Sequence, residues 1–141
     1  MQYKHETFIE TAKIFAQNSY ANRLKVGAVL AYDDRILAVG YNGTPKGYDN
    51  TCEEYNVITG ELTTKELVVH AEQNLICFCA KNGIKTDGCT LYITHSPCVT
   101  CAKLIASAGI KKVIYETDYR NSLGVELLKE LGVEVEKFLD N

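Results

Sequence analysis

His70, Glu72, Cys98 and Cys101 are the residues of this chain best suited to do chemistry, because they combine three zinc-ligand types with a carboxylate that need not bind the metal. A catalytic zinc typically takes three protein ligands and keeps a fourth position open for water, whereas four protein ligands close a structural site. His70, Cys98 and Cys101 supply three. Pro97 predicts a helix start at Cys98, and the two-residue gap brings Cys101 back to the same side one turn later, so both thiolates face one ion. That first turn also offers unpaired N–H groups and a positive dipole end, which favour thiolate over thiol and could donate to an oxyanion on a substrate. Glu72, two residues after His70, points to a different angular position on a helix and is free for proton transfer. Zinc brings the pKa of a water it binds towards about 7, and Glu72 can accept that proton. The set reads as a hydrolytic metal site.

These side chains need a fold that delivers them to one place. Phe8, Ala12, Phe15 and Ala16 recur at helical spacing within residues 4–19. Residues 26–32 and 36–41 are short β-prone runs joined at Asp33-Asp34, which predicts a hairpin. Residues 42–64 hold several glycines, turn-forming asparagines and Pro45 with little periodicity, and are expected to form a long functional loop that helps bind substrate or effector. A helical pattern over residues 68–82, stopped by Gly83, carries His70 and Glu72 near its beginning. Residues 90–94 read as a strand feeding the Pro97-Cys98 helix start, 112–116 as another strand, 122–131 as a helix stopped by Gly132, and 133–138 as a last strand. Strands alternating with helices after the hairpin imply parallel crossovers with helices on both sheet faces. The expected class is α/β: a three-layer α/β/α sandwich around a five-stranded mixed sheet, as one domain over residues 1–141.

Composition narrows the partners. With 141 residues, 46% of them apolar, the chain suits one domain with a substantial core. A net charge of −3 and a pI near 5.6 leave no electrostatic footprint for a polyanion, so a small substrate is favoured and no nucleic acid is expected. Lys4, Glu6, Glu10 and Lys13 interrupt the first twenty residues, which fit neither a signal peptide nor a membrane span; a cytoplasmic protein with no membrane association is expected. Cysteines are then expected as reduced thiols, with Cys77, Cys79 and Cys89 as small core residues and Cys52 in a polar neighbourhood.

His70-Ala71-Glu72 with Pro97-Cys98-Val99-Thr100-Cys101 matches the H-x-E…P-C-x-x-C signature of zinc deaminases. Further pieces are Val26-Gly27-Ala28-Val29, Gly40-Tyr41-Asn42-Gly43-Thr44-Pro45-Lys46-Gly47, Thr90-Leu91-Tyr92 and Tyr119. Together, from about Ser19 to Val135, the chain resembles the deoxycytidylate (dCMP) deaminase family within the zinc-dependent cytidine deaminase superfamily. The resemblance implies a cytidine deaminase-like fold, one catalytic Zn2+ per chain, and hydrolysis of dCMP to dUMP and ammonia, which would feed thymidylate synthesis. It implies Glu72 as proton carrier and His70, Cys98 and Cys101 as ligands. It also implies Asn42 at the substrate sugar, the Gly27-Ala28 backbone along the base, Ser96 near the amino group, and Tyr119 and Arg120 as candidates for the phosphate. Arg23 and Lys25 are further basic candidates. Members of the family are activated by dCTP and inhibited by dTTP, each with Mg2+, at a separate site; the corresponding contact residues here are Asn42, Gly43, Lys46 and Gly47. Regulated members form hexamers, so a homo-oligomer is expected. Some relatives hold a second, structural zinc; residues 43–69 contain Cys52 but no histidine, so none is expected here. His95, two residues before Pro97, suits a contact to substrate or to the side chains around the metal as well as it suits metal binding, and it is not assigned as a ligand.

Three competing functions differ in what they require. A nucleoside or free-base deaminase would not need the 5′-phosphate. An RNA adenosine deaminase fits poorly with the acidic composition and the Gly-Tyr-Asn-Gly loop. A nucleotide-sensing module that keeps zinc only for folding leaves Glu72 without a task.

Overall fold

The computed structural model describes residues 2–119 and 121–139. A first helix, α1 (Gln2–Ala16), is followed by a hairpin of β1 (Gly27–Tyr32) and β2 (Arg35–Tyr41). Its turn is Asp33-Asp34, both with positive φ (51° and 61°), the backbone that a two-residue hairpin requires and that aspartate tolerates better than most residues. Two short strands, β3 (Glu53–Tyr55) and β4 (Leu62–Thr64), then precede α2 (Ala71–Asn82), β5 (Thr90–His95), α3 (Val99–Ser107), β6 (Lys112–Thr117), α4 (Leu123–Glu130) and β7 (Glu134–Lys137).

The main sheet has the order β2-β1-β5-β6-β7, antiparallel across its first three strands and parallel from β5 to β7, so the expected five-stranded mixed sheet is present. Strict alternation sorts the strand side chains between two cores. Ala28, Leu30, Leu91, Ile93, Val113 and Tyr115 face α2, α3 and α4, while Val29, Ala31, Tyr92 and Ile114 face α1. Among the described residues three helices cover one face and one covers the other. Among the described residues no helix is long and apolar enough to cross a membrane.

Four readings of the sequence need correction. The expected loop 42–64 contains the β3–β4 antiparallel ribbon, whose three-residue strands are mostly exposed and so carry no apolar alternation. α2 starts at Ala71; Val69 instead pairs with Gly43 in an antiparallel bridge, which ties the end of the 43–69 segment to its beginning. α1 ends at Ala16, and Gln17, Asn18 and Ser19 close it by donating to the carbonyls of Ile14, Phe15 and Ala16. Cys77 is exposed, because Ala71, Leu75 and Cys79 form the inward stripe of α2 and Cys77 lies off it.

Candidate active site

The site forms where β5 ends and the first turns of α2 and α3 converge. Cys98 is the N-cap of α3, in extended backbone (φ −75°, ψ 172°), and its carbonyl accepts the Ala102 N–H at 2.9 Å. Cys101 follows in the first turn and is fully buried. His70 occupies the equivalent position on α2, again extended (φ −68°, ψ 157°), so it precedes the helix that was expected to carry it. Gln73 turns back to accept the His70 N–H at 2.7 Å, one half of a capping box. Asn74 fastens this helix start to the sheet by donating to the Tyr41 carbonyl at 2.9 Å.

Two N-caps therefore aim their side chains at one point. His70 Nδ1 lies 3.2 Å from Cys101 Sγ and 3.6 Å from Cys98 Sγ, and the three donor atoms all fall within 4.8 Å of one another. Donors about 2.0 to 2.3 Å from a tetrahedral zinc stand about 3.3 to 3.8 Å apart, so the set fits that ion, and nitrogen with two sulfurs suits its borderline-soft character. Hydrogen bonds from the Cys101 thiol and the His70 ring pull Cys98 down to about 3, whereas donating to Cys98, and burial, push Cys101 well above an ordinary thiol.

Glu72 lies in the first turn of α2 and is only 5% exposed. Burial raises its carboxyl above the usual carboxylate range, which brings it closer to the pKa that a proton carrier needs near neutrality. His95 is half-buried, with Nδ1 2.8 Å from Thr94 Oγ1, and burial holds its ring below the ordinary histidine value.

A cavity of about 230 Å³ opens onto His70, Glu72 and Cys98. Arg23, Leu24, Val26, Asn42, Thr64 and Val68 form one wall, and His95, Ser96 and Tyr119 contribute another part. Of the substrate-contact candidates read from the sequence, Arg23, Asn42, Ser96 and Tyr119 line this cavity, and Lys25 does not. Ser96 Oγ accepts the Tyr119 N–H at 2.9 Å, and the Tyr119 ring meets His95 edge-on at 6.2 Å. Asn42 Oδ1 accepts the Val26 N–H at 2.9 Å while its amide donates to the Leu24 carbonyl at 2.8 Å.

Gly27 and Ala28 are not among the residues lining this cavity, and they sit directly after Val26, which is one of them. A Cβ on Gly27 would stand 1.9 Å from the Ala12 carbonyl oxygen, so this glycine lets β1 pass under α1, and Ala28 is fully buried against the opposite helical layer. Leu24 and Val26 take that part of the wall. Gly43 pairs with Val69, directly before His70, whereas Lys46 and Gly47 are exposed outside the cavity. Arg120 lies outside the described residues. The sequence reading did not pick out Thr64, which reaches the cavity only through the unread ribbon. It also missed Gly40 and Gly124, where a Cβ would stand 2.7 Å from the Ala71 oxygen and 2.0 Å from the Pro97 oxygen.

Comparison with known proteins agrees with this geometry. The model of the cytidine and deoxycytidylate deaminase zinc-binding region matches residues 2–117. ComE operon protein 2 of Bacillus subtilis is 37% identical over 134 residues, covering 94% of this chain and 70% of that protein. The deoxycytidylate deaminase of Enterobacteria phage T2 is 36% identical over 171 aligned positions, covering 94% of this chain and 90% of its own length. Among solved structures, the dCMP deaminase of cyanophage S-TIM5 in complex with dCMP and dUMP superposes with a TM-score of 0.86 at 46% identity, over 94% of each chain.

Proposed function

We propose, starting from the fact that this chain belongs to the cytidine and deoxycytidylate deaminase family of zinc enzymes, that it hydrolyses dCMP to dUMP and ammonia. The observation that carries the reading is the buried Glu72 carboxylate beside a three-donor metal set, in a cavity whose wall also presents Arg23. Zinc held by His70, Cys98 and Cys101 supplies a Lewis acid that eases the ionisation of water near neutral pH. Glu72 does the proton work: it takes one proton from the attacking water and delivers it to the ring nitrogen, then takes the second from the hydroxyl that has added to the ring carbon and delivers it to the departing amine, which leaves as ammonia as the carbonyl forms. Its raised affinity for a proton, set by burial, lets it hold that proton between the steps. Asn42, with one amide hydrogen not used on Leu24, can donate to the sugar. Ser96 can meet the base near its amino group, and Tyr119, with Arg120 next to it in sequence, lies on the same side as His95. Arg23 supplies a guanidinium suited to a phosphate.

We further infer regulation and setting from the family. dUMP would go to thymidylate synthesis, in the cytoplasm, where cysteines kept as thiols or as metal ligands fit a reducing compartment. dCTP with Mg2+ would activate and dTTP with Mg2+ inhibit, through Asn42, Gly43, Lys46 and Gly47, in a homo-hexamer. Gly47, at φ 89° with open space around it, would let backbone N–H groups approach phosphates. The Gly43–Val69 bridge would link that loop to the His70 turn.

The test is ammonia release from dCMP and deoxycytidine in parallel, each alone and with magnesium plus dCTP or dTTP. dCMP turnover well above that of deoxycytidine is expected, raised by dCTP and lowered by dTTP. Equal turnover of deoxycytidine would make it a nucleoside enzyme, and no turnover of either would overturn the catalytic reading.

A further inference from the structure

Residues 19–26, of which Arg23, Leu24 and Val26 line the cavity, have no regular secondary structure, so their backbone polar groups need partners from elsewhere. Three side chains supply them. Ser19 Oγ accepts the Ala21 N–H at 3.1 Å and donates to the Asn42 carbonyl at 2.8 Å. Asn42 brackets Leu24 and Val26. Between these, Glu53 Oε2 accepts both the Asn22 N–H at 2.8 Å and the Arg23 N–H at 3.1 Å.

Glu53 is unexpected in this company. It is 6% exposed, and apart from Glu72 it is the one buried acidic residue among the described residues. Burying a carboxylate is costly unless strong donors compensate, and the serine and asparagine beside it show that neutral side chains can hold this kind of backbone. Its position explains more than backbone satisfaction. Glu53 pairs with Thr64 across the β3–β4 ribbon, and Thr64 Oγ1 accepts from Arg23 Nη1 at 3.1 Å. One rung of the ribbon thus grips Arg23 twice, at its backbone N–H and at its guanidinium. Arg23 and Thr64 both line the cavity that holds Glu72, whereas the exposed Lys25, two residues on, is outside it.

We propose that the Glu53–Thr64 rung is a positioning device that aims Arg23 at the 5′-phosphate of the substrate, so that the ribbon sets the preference for a nucleotide over a nucleoside. The inference rests on the dCMP reading above. Thr64 occupies one of the five guanidinium N–H groups and leaves the rest of the fork for phosphate oxygens. A long, exposed arginine loses rotamer freedom when it clamps a ligand, and fixing its backbone and one end beforehand reduces that loss.

The test compares the ratio of kcat/KM for dCMP to that for deoxycytidine in the wild type, R23A, E53A, E53Q and the R23A/E53A double variant, with zinc content measured for each. R23A is expected to lower the ratio about 100-fold, and E53A about tenfold through the KM for dCMP. E53Q, whose amide oxygen can still accept both N–H groups, restores most of the E53A loss. In the R23A background, E53A changes the ratio no further, the signature of a residue acting through another. Equal loss on both substrates, or an additive loss in the double variant, would overturn the proposal in favour of a purely structural Glu53. Should E53A fail to fold, T64V probes the same rung, with a threefold to fivefold rise expected in the KM for dCMP; an unchanged KM overturns the proposal. Wild type without dCMP turnover defeats the reading and the rung together, whereas dCMP turnover with an unchanged ratio in E53A defeats the rung alone.

Discussion

Glycines separate two regions of this molecule. Around the metal end, a Cβ added at Gly40 or Gly124 would stand 2.7 Å from the Ala71 oxygen or 2.0 Å from the Pro97 oxygen, so β2 and α4 press backbone to backbone on the two helix starts that carry His70 and Cys98. In the segment facing them, a Cβ on Gly43, Gly47 or Gly60 would meet nothing within 4 Å. The metal end is fixed by close packing. The facing wall is fixed by side-chain hydrogen bonds from Ser19, Asn42 and Glu53, which a few substitutions can rearrange. On the proposed roles, chemistry and recognition would be built from different materials, and selectivity could change while the proton machinery stayed in place.

The largest expected effect tests whether the packed end carries the chemistry. Glu72→Gln keeps size and burial but cannot carry the proton, and ammonia release from dCMP should fall about 10³-fold with zinc content unchanged. Variant activity close to wild type would remove Glu72 from the mechanism. Cys101→Ala comes next: it should lose the metal and, with it, the stabilisation by an ion that binds only the native state, about 3 kcal/mol at 100-fold excess over the dissociation constant. Chelation of the wild type should reproduce that fall in Tm, and a Tm indifferent to chelator would separate the ion from folding.

A matched pair of glycine substitutions sharpens the contrast itself. Gly124→Ala drives a methyl group into the Pro97–Cys98 backbone and should cost about 1 to 3 kcal/mol in denaturant unfolding, with lowered zinc occupancy. Gly60→Ala pays only for its positive φ of 75°, about 1 kcal/mol, and should leave zinc occupancy and dCMP turnover unaltered. Equal effects on zinc would erase the distinction between the regions.

The smallest effect lies in the α1 layer, away from both. Burial holds His5, whose Nδ1 is 2.7 Å from the Tyr92 hydroxyl, below its ordinary 6.5. The unfolded chain therefore takes up this proton first, and stability should decline as pH drops through the unfolded value towards 5, while nothing changes above it. His5→Gln should show a shallower decline over that window in urea unfolding, and identical slopes would assign the acid sensitivity to other groups.

The two cores were legible because strand alternation and helical spacing are local signals, and the hairpin because Asp33-Asp34 accepts the turn's backbone. The metal set was legible because its spacing is itself the geometry. The ribbon was not: its strands are too short and exposed to show a period, and only pairing of Glu53 with Thr64 reveals it. Arg23 and Lys25 look alike in sequence, and what distinguishes them lies 30 and 41 residues away. Gly27 reads as a motif residue in the sequence, and the contact that requires a glycine there comes from Ala12 on another element. The exposure of Cys77 was readable from the stripe of Ala71, Leu75 and Cys79, since an apolar run on a helix is divided by angle as well as by composition.

His70 and Cys98 sit at the two places where helices ordinarily begin to fray. An ion held there acts as a cross-link, closing the chain between residues 70 and 101 into a ring that contains all of α2 and β5. By analogy with a disulfide of similar loop length, such a ring would restrict the unfolded chain by about 3 to 4 kcal/mol, so an ion proposed for catalysis would also act as a staple on the fold.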